Sequence, residues 1–215
     1  DLVIQVIKRH GDELRFLPHS GKFLLWDGSH WQVDQMNGAD GAVIGVLRAQ
    51  SQLAVRVIRK HSKAERTALR IASANCYTNV MKLLKAESEI LLSPEECDAD
   101  QWLLGVPGGT VDLRTGRTIA PDPTHHITMS TSVAPAHGDP LRWNSFLDEA
   151  TGGDFDLVNY LQRLCGYLLT GSIREHCITF FHGSGGNGKS VFLNAVSEVL
   201  GDYAGTAPMD TFMKS

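Results

Sequence analysis

The chain lacks the marks of a secreted, membrane-spanning or fibrous protein. It has only four cysteines in 215 residues, Cys76, Cys97, Cys165 and Cys177, and no C-x-x-C pair among them. That spacing argues against a disulfide framework and against a cysteine-built zinc site. The four read instead as reduced thiols, buried or partly buried. Nine histidines show no ligand spacing either, and His125-His126, following Pro121 and Pro123, reads as surface loop. No run approaches the ~18 apolar residues of a spanning helix. The first residue is Asp1, with no basic-then-apolar leader behind it. The expectations are a cytoplasmic protein and a chain that is a piece of something longer. Hydrophobic residues make up 42% and charged residues 20%, which excludes a wholly disordered or collagen-like chain. The length allows one or two domains with real cores.

Charge of one sign is scarce in places. Between Arg48 and Lys85 stand nine bases (Arg48, Arg56, Arg59, Lys60, Lys63, Arg66, Arg70, Lys82 and Lys85) and a single acid, Glu65. Glu87, Glu89, Glu95, Glu96, Asp98 and Asp100 follow with no base among them, although the whole chain is only −4. Two readings stand. The basic stretch is a phosphate-binding surface, or it is a solvated helical face neutralised by the acids that follow. Arg56, Arg59, Lys60, Lys63, Arg66 and Arg70 are the candidate DNA contacts.

Residues up to about 36 look β-rich. Phe23–Trp26, a turn at Asp27-Gly28, and Trp31–Val33 read as a hairpin with Trp26 and Trp31 packed on it. From about Ala42 to Leu92 the pattern is helical. Val43, Val46 and Leu47, then Leu53, Val57 and Ile58, and in a run from Leu69 to Ile90 the residues Ala72, Cys76, Val80, Leu83 and Leu84, form core stripes. Ser93-Pro94 closes this region. Trp102–Leu104, Thr110–Leu113 and Arg117–Ile119 return to β structure, and Pro121 to Pro140 is the best linker candidate. A helix capped by Asp139 with Pro140 at its opening carries Trp143, Phe146 and Leu147. A second, over about 154–169, carries Leu157, Val158, Leu161, Leu164, Cys165 and Leu168.

One motif is sharp. Residues 183–190 read Gly-Ser-Gly-Gly-Asn-Gly-Lys-Ser, the G-x-x-x-x-G-K-S phosphate loop. A β-branched and aromatic run, Cys177 to His182, precedes it as the expected strand. A helical stripe of Phe192, Ala195, Val196 and Val199 follows. Gly183, Gly185, Gly186 and Gly188 let the backbone turn and approach phosphates without a Cβ clash. With Ser184 and Asn187 they form a cradle of N–H groups at a helix N-terminus. Lys189 would reach the β- and γ-phosphates, and the Ser190 hydroxyl would ligate Mg²⁺. The site therefore reads as one for ATP and Mg²⁺.

The neighbourhood resembles a known family. Leu157–Gly171, Phe180–Ser190 and Leu200–Ala204 are similar to the phage and plasmid primase-helicases, superfamily 3 DNA helicases related to the poxvirus NTPase. Upstream, Val111–Gly116, Pro121–Thr124 and Trp143 with Phe146-Leu147 look like the domain preceding the helicase core. Gly108-Gly109-Thr110 departs from the family's usual Asn-Gly at that turn. The resemblance implies an ATP-hydrolysing helicase acting in DNA replication, assembled as a hexameric ring on single-stranded or origin duplex DNA. It also implies a second acidic motif, a sensor and an arginine finger. No such strand with paired acids stands between Val191 and Ser215, so the expectation is a chain truncated after the phosphate loop with little turnover of its own. The expected architecture is an α+β region of hairpins and helices over 1–136 and a helical segment over 137–171. Over 172–215 comes the start of an α/β P-loop core of the AAA+ kind, with its first strand, loop and first helix. Two other readings stay open: a non-enzymatic DNA-binding or assembly module of a replication protein, and a P-loop kinase acting on a small molecule. The ~180 residues before the loop weigh against the kinase, which usually carries its loop early.

Overall fold

A computed structural model describes residues 1–57 and 62–212. The chain forms two compact units, Asp1–Cys97 and Asp98–Ser215. The expected segments 137–171 and 172–215 both fall in the second unit, together with the 102–120 strands.

The first unit opens with a helix, α1 (Leu2–His10), where β structure was expected. Asp1 caps it by accepting from the Val3 N–H at 2.9 Å, and Val3 and Val6 make a buried stripe one turn apart. Strands β1 (Leu14–Leu17), β2 (Lys22–Trp26) and β3 (Trp31–Val33) form an antiparallel sheet in sequence order. Trp26 pairs with Trp31 across the Asp27-Gly28 turn, their rings 5.5 Å apart. Asp27 holds the turn by accepting from the N–H of Ser29 and of His30. The Arg15 guanidinium lies 4.7 Å from the Trp31 ring centroid, and burial lowers its pKa although Asp12 opposes this.

The helical region divides into α2 (Gly38–Val57), α3 (Ser62–Ile71) and α4 (Ala74–Leu84). Ser73 breaks the expected run from Leu69: its Oγ accepts from the Cys76 N–H at 3.2 Å and caps α4. Val43, Val46, Leu47, Val80 and Leu84 join Val6, Leu14, Phe16, Phe23 and Ile90 in one core. Leu53, Ala72 and Leu83 were expected in the stripes and are exposed instead. Neighbours along a helix point ~100° apart, so Leu84, one turn beyond Val80, takes the core and Leu83 faces out. Ile58 lies outside the described residues. Phe16 also exchanges backbone hydrogen bonds with Ile90 (2.7 Å) and Leu92 (3.0 Å), which ties the chain after α4 to the free edge of β1.

The second unit starts with β4 (Leu103–Val106), β5 (Gly109–Asp112) and β6 (Arg117–Ile119), an antiparallel meander turning at Gly108, φ +77°. Of the 121–140 stretch, residues 121–131 are largely packed within this unit and 132–140 are exposed. Thr128 donates to the Asp98 carboxylate through both N–H and hydroxyl, Thr131 N–H donates to Gly105 O at 2.9 Å, and Ile127 is buried. His125 is half-buried, not a plain surface residue. Tyr203 locks the same place: its hydroxyl donates to Met129 O at 3.0 Å and accepts from Gly105 N–H at 2.8 Å. Burial pushes its pKa up to about 12.

Helices α5 (Leu141–Thr151), α6 (Phe155–Leu168) and α7 (Lys189–Leu200) gather a separate core of Leu147, Leu161 and Phe192, with Trp143, Phe146 and Phe181 packed on it. Pro140, not Asp139, occupies the cap position of α5. The Asp139 carboxylate accepts from the Asn144 side chain instead. Asp154 caps α6 as its sequence position suggests, accepting from Leu157 N–H at 3.0 Å. Residues 177–182, expected as the first strand of the phosphate-loop core, pair with no strand among the described residues. A strand exists only through its ladder, and β4–β6 of the same unit do not pair with this segment. No described helix is long and apolar enough to cross a membrane.

Candidate functional site

The phosphate loop, residues 183–188, leads straight into α7. Gly188 sits at the helix N-cap with φ +80°, and no side chain caps the first turn, so that end of the helix is left to another acceptor. Two constraints make Gly188 hard to replace. Its φ is left-handed, and a Cβ there would come within 3.0 Å of Phe146 and 3.2 Å of Ala150 on α5. Gly183 (φ +150°) and Gly186 (φ +80°) also need glycine conformations. Gly185 does not: its φ is not positive and a Cβ would meet nothing.

Lys189 opens α7 and folds back over the loop. Its Nζ donates to Gly183 O at 3.2 Å, to Ser184 O at 3.4 Å and to Asn187 Oδ1. Its three ammonium protons therefore have three oxygen acceptors, all from the loop. A Cβ on Gly183 would collide with the Asn187 amide and sit 3.4 Å from Nζ, so the cradle is closed around the lysine. Ser190 lies one residue on in the first turn, exposed. The residue types fit a polyphosphate and its cation: a cationic group at the loop centre, an uncapped helix end, and a free hydroxyl beside them.

An open pocket of about 560 Å³ adjoins the loop. Asn187, Gly188 and Lys189 form one side, and Phe146, Tyr160 and Phe181 are among those forming the other. That size suits a small molecule with an apolar or aromatic body and a charged tail. Phe192 also lines the pocket and stacks on Trp143 at 5.6 Å and 23° between rings. Of the helical stripe read from the sequence, Phe192 is buried and Val196 packs against the same core, whereas Val199 is exposed.

The basic residues are arranged differently. Arg56 lies in the last turn of α2, and Arg66 and Arg70 lie one turn apart on α3; all three are exposed. Ser51 Oγ donates to Ala68 O at 3.0 Å and fixes α3 against α2. Among the described residues none of these arginines pairs with a carboxylate. Lys63 lies on the first turn of α3; Arg59 and Lys60 lie outside the described residues.

The four cysteines are free, with Cys177 exposed and the others half-buried; burial raises the Cys165 thiol pKa. Among the described residues no three His, Cys, Asp or Glu side chains converge as metal ligands. Sequence reasoning missed Asp34. Its carboxylate accepts from the N–H groups of Gly38 (2.8 Å) and Ala39 (2.9 Å) and so starts α2. The signal was present: an acidic residue four places before a helical pattern.

A family model described as D5 N terminal like matches residues 5–152. Domains of this kind occur in phage and plasmid primase-helicase proteins. The match begins within α1, spans the rest of the first unit, the β4–β6 meander and α5, and ends before the phosphate loop. No curated protein matches the chain.

Proposed function

The chain belongs to the D5 N terminal like family, and from that premise we propose that it is part of an ATP-dependent DNA helicase of replication, in which the 183–190 loop binds ATP. The observation that carries the reading is the loop itself. Gly183, Gly186 and Gly188 adopt conformations reserved for glycine, and Lys189 stands at the centre with an uncapped helix end behind it. A polyphosphate entering the loop would take over Lys189 from Gly183 O, Ser184 O and Asn187 Oδ1. That exchange replaces neutral acceptors by charged ones, which strengthens each hydrogen bond. The Ser190 hydroxyl would hold Mg²⁺, which supplies neutralisation of phosphate charge. The ring-lined pocket beside the loop would take the base and ribose.

The match also supports the rest of the reading, because domains of this family stand in replication proteins. DNA is then the partner, with Arg56, Arg66, Arg70 and, from the sequence, Arg59, Lys60 and Lys63 as contacts. A homo-hexameric ring in the cytoplasm is the assembly this reading carries. The test is strand displacement by the protein that carries this chain. ATP-dependent release of a labelled strand, abolished by Lys189→Ala, is the expected result. ATP-independent DNA binding that survives Lys189→Ala with no displacement would favour the assembly-module reading instead.

A further inference from the structure

The loop and the α2–α3 arginines do not exhaust the charged surface. In the first unit an open cleft of about 530 Å³ lies between β2 and α4. Lys22 enters it from the start of β2, and Lys82 and Lys85 enter it from the last turn of α4 and its C-cap. We propose that this cleft is a phosphate-recognition site for the backbone of single-stranded nucleic acid. The proposal rests on the replication reading above and adds to it a site away from the basic α2–α3 surface.

Three ammonium groups on one cleft repel each other, and the ordinary remedy is carboxylate pairing. Among the described residues none of the three has a carboxylate within 4.0 Å. Two acids do line the cleft, but both are engaged. Asp34 accepts the N–H groups that start α2, from Met36 (3.2 Å), Gly38 and Ala39. Asp40 accepts the Tyr77 hydroxyl, a hydrogen bond that raises the tyrosine pKa. The remaining positive charge is left for a ligand.

The bland alternative is that Lys82 and Lys85 serve only the negative end of the α4 dipole. That explains two of the three. Lys22 comes from a strand and gains nothing from that dipole, yet it faces the same cleft. Lys85 is also held, its Nζ 5.4 Å from the Phe16 ring centroid and 5.6 Å from that of Phe23. One ammonium held over aromatic rings, with two more lining the same cleft, suits a chain of phosphates passing across. The cleft has no glycine loop and no arginine fork, so nothing in it selects a terminal polyphosphate.

The experiment uses the full 215-residue chain and a fluorescent oligo(dT), read by anisotropy across a salt series. Lys22→Ala/Lys82→Ala is the test variant, because it spares the packed Lys85. An unchanged thermal midpoint shows that it folds. Loss of two backbone contacts should weaken binding several-fold and flatten the slope of log K against log salt by about 1.4, at ~0.7 per contact on single strands. Lys22→Arg/Lys82→Arg should restore the slope. A folded alanine variant whose slope matches the unaltered chain overturns the proposal and leaves DNA contact to α2–α3. No oligo(dT) binding by the unaltered chain overturns it together with the DNA reading it rests on. If the alanine variant loses inorganic triphosphate but keeps its DNA slope, the ligand is a free polyphosphate and the nucleic-acid proposal fails.

Discussion

The β-sheet unit at the start and the segment around the phosphate loop use similar apolar residues and treat them in opposite ways. In the first, Trp31, Leu84 and Ile90 are wholly buried. In the second, Ile173, Ile178 and Phe180 stand 70–82% exposed within the ten residues before the loop. Hydrophobicity does not account for the difference; backbone pairing does. β1 to β3 satisfy one another's N–H and C=O groups and present one face for α1, α2 and α4 to cover. Residues 177–182 have no ladder among the described residues, so their alternating side chains have no sheet face to share. What orders the loop is the helix after it, pinned by Phe192 between Trp143 and Phe181.

This contrast can be broken at its strongest point first. Trp31→Ala removes a fully buried indole and its partner Trp26 contact, and should cost about 4 kcal/mol of unfolding free energy in urea. A cost below ~1 kcal/mol would mean the first core is not the tight one described. Phe192→Ala should cost less, about 3 kcal/mol, and be felt only in the second unit, because that core holds fewer buried residues. Hydrogen exchange of α5 to α7 should rise while α2 and α4 stay protected; uniform loss of protection would contradict it.

Tyr203→Phe comes next, at about 1–2 kcal/mol, since it leaves Gly105 N–H and Met129 O without their hydroxyl partner. The pH dependence has a definite sign. The folded hydroxyl titrates near 12, against 10 for a free tyrosine, because burial favours the neutral form. Its contribution is complete below pH 10 and is lost as pH climbs from 10 to 12. The phenylalanine variant should lack that component of the alkaline decline in the second unit. At the small end, Phe180→Ser should change stability by no more than about 0.5 kcal/mol, since its ring is already in water. A large loss there would show that the segment is packed after all.

Much of this was legible in the sequence, for reasons that differ by region. The Trp26–Trp31 hairpin, the helix over about 154–169 and the start of α7 at Lys189 follow from local signals: a turn dipeptide, an apolar stripe, a glycine loop. The loop residues were named one by one because each has a chemical reason to be there. What sequence could not show depends on distant partners. Which of Leu83 and Leu84 turns inward depends on where β1 lies. Tyr203 matters because Met129 and Gly105 lie beside it, far off along the chain. The meeting of Lys22 with Lys82 and Lys85 likewise exists only once β2 lies against α4. The α1 helix was missed because nine residues give a weak periodic signal.

The central claim is that the 183–190 loop binds the phosphates of a nucleotide. Calorimetric titration of the chain with a non-hydrolysable ATP analogue and Mg²⁺, beside Lys189→Ala, tests it most directly. Saturable binding by the chain, weakened at least tenfold in the variant, is the predicted result. Equal binding by both, or none by either, would contradict it.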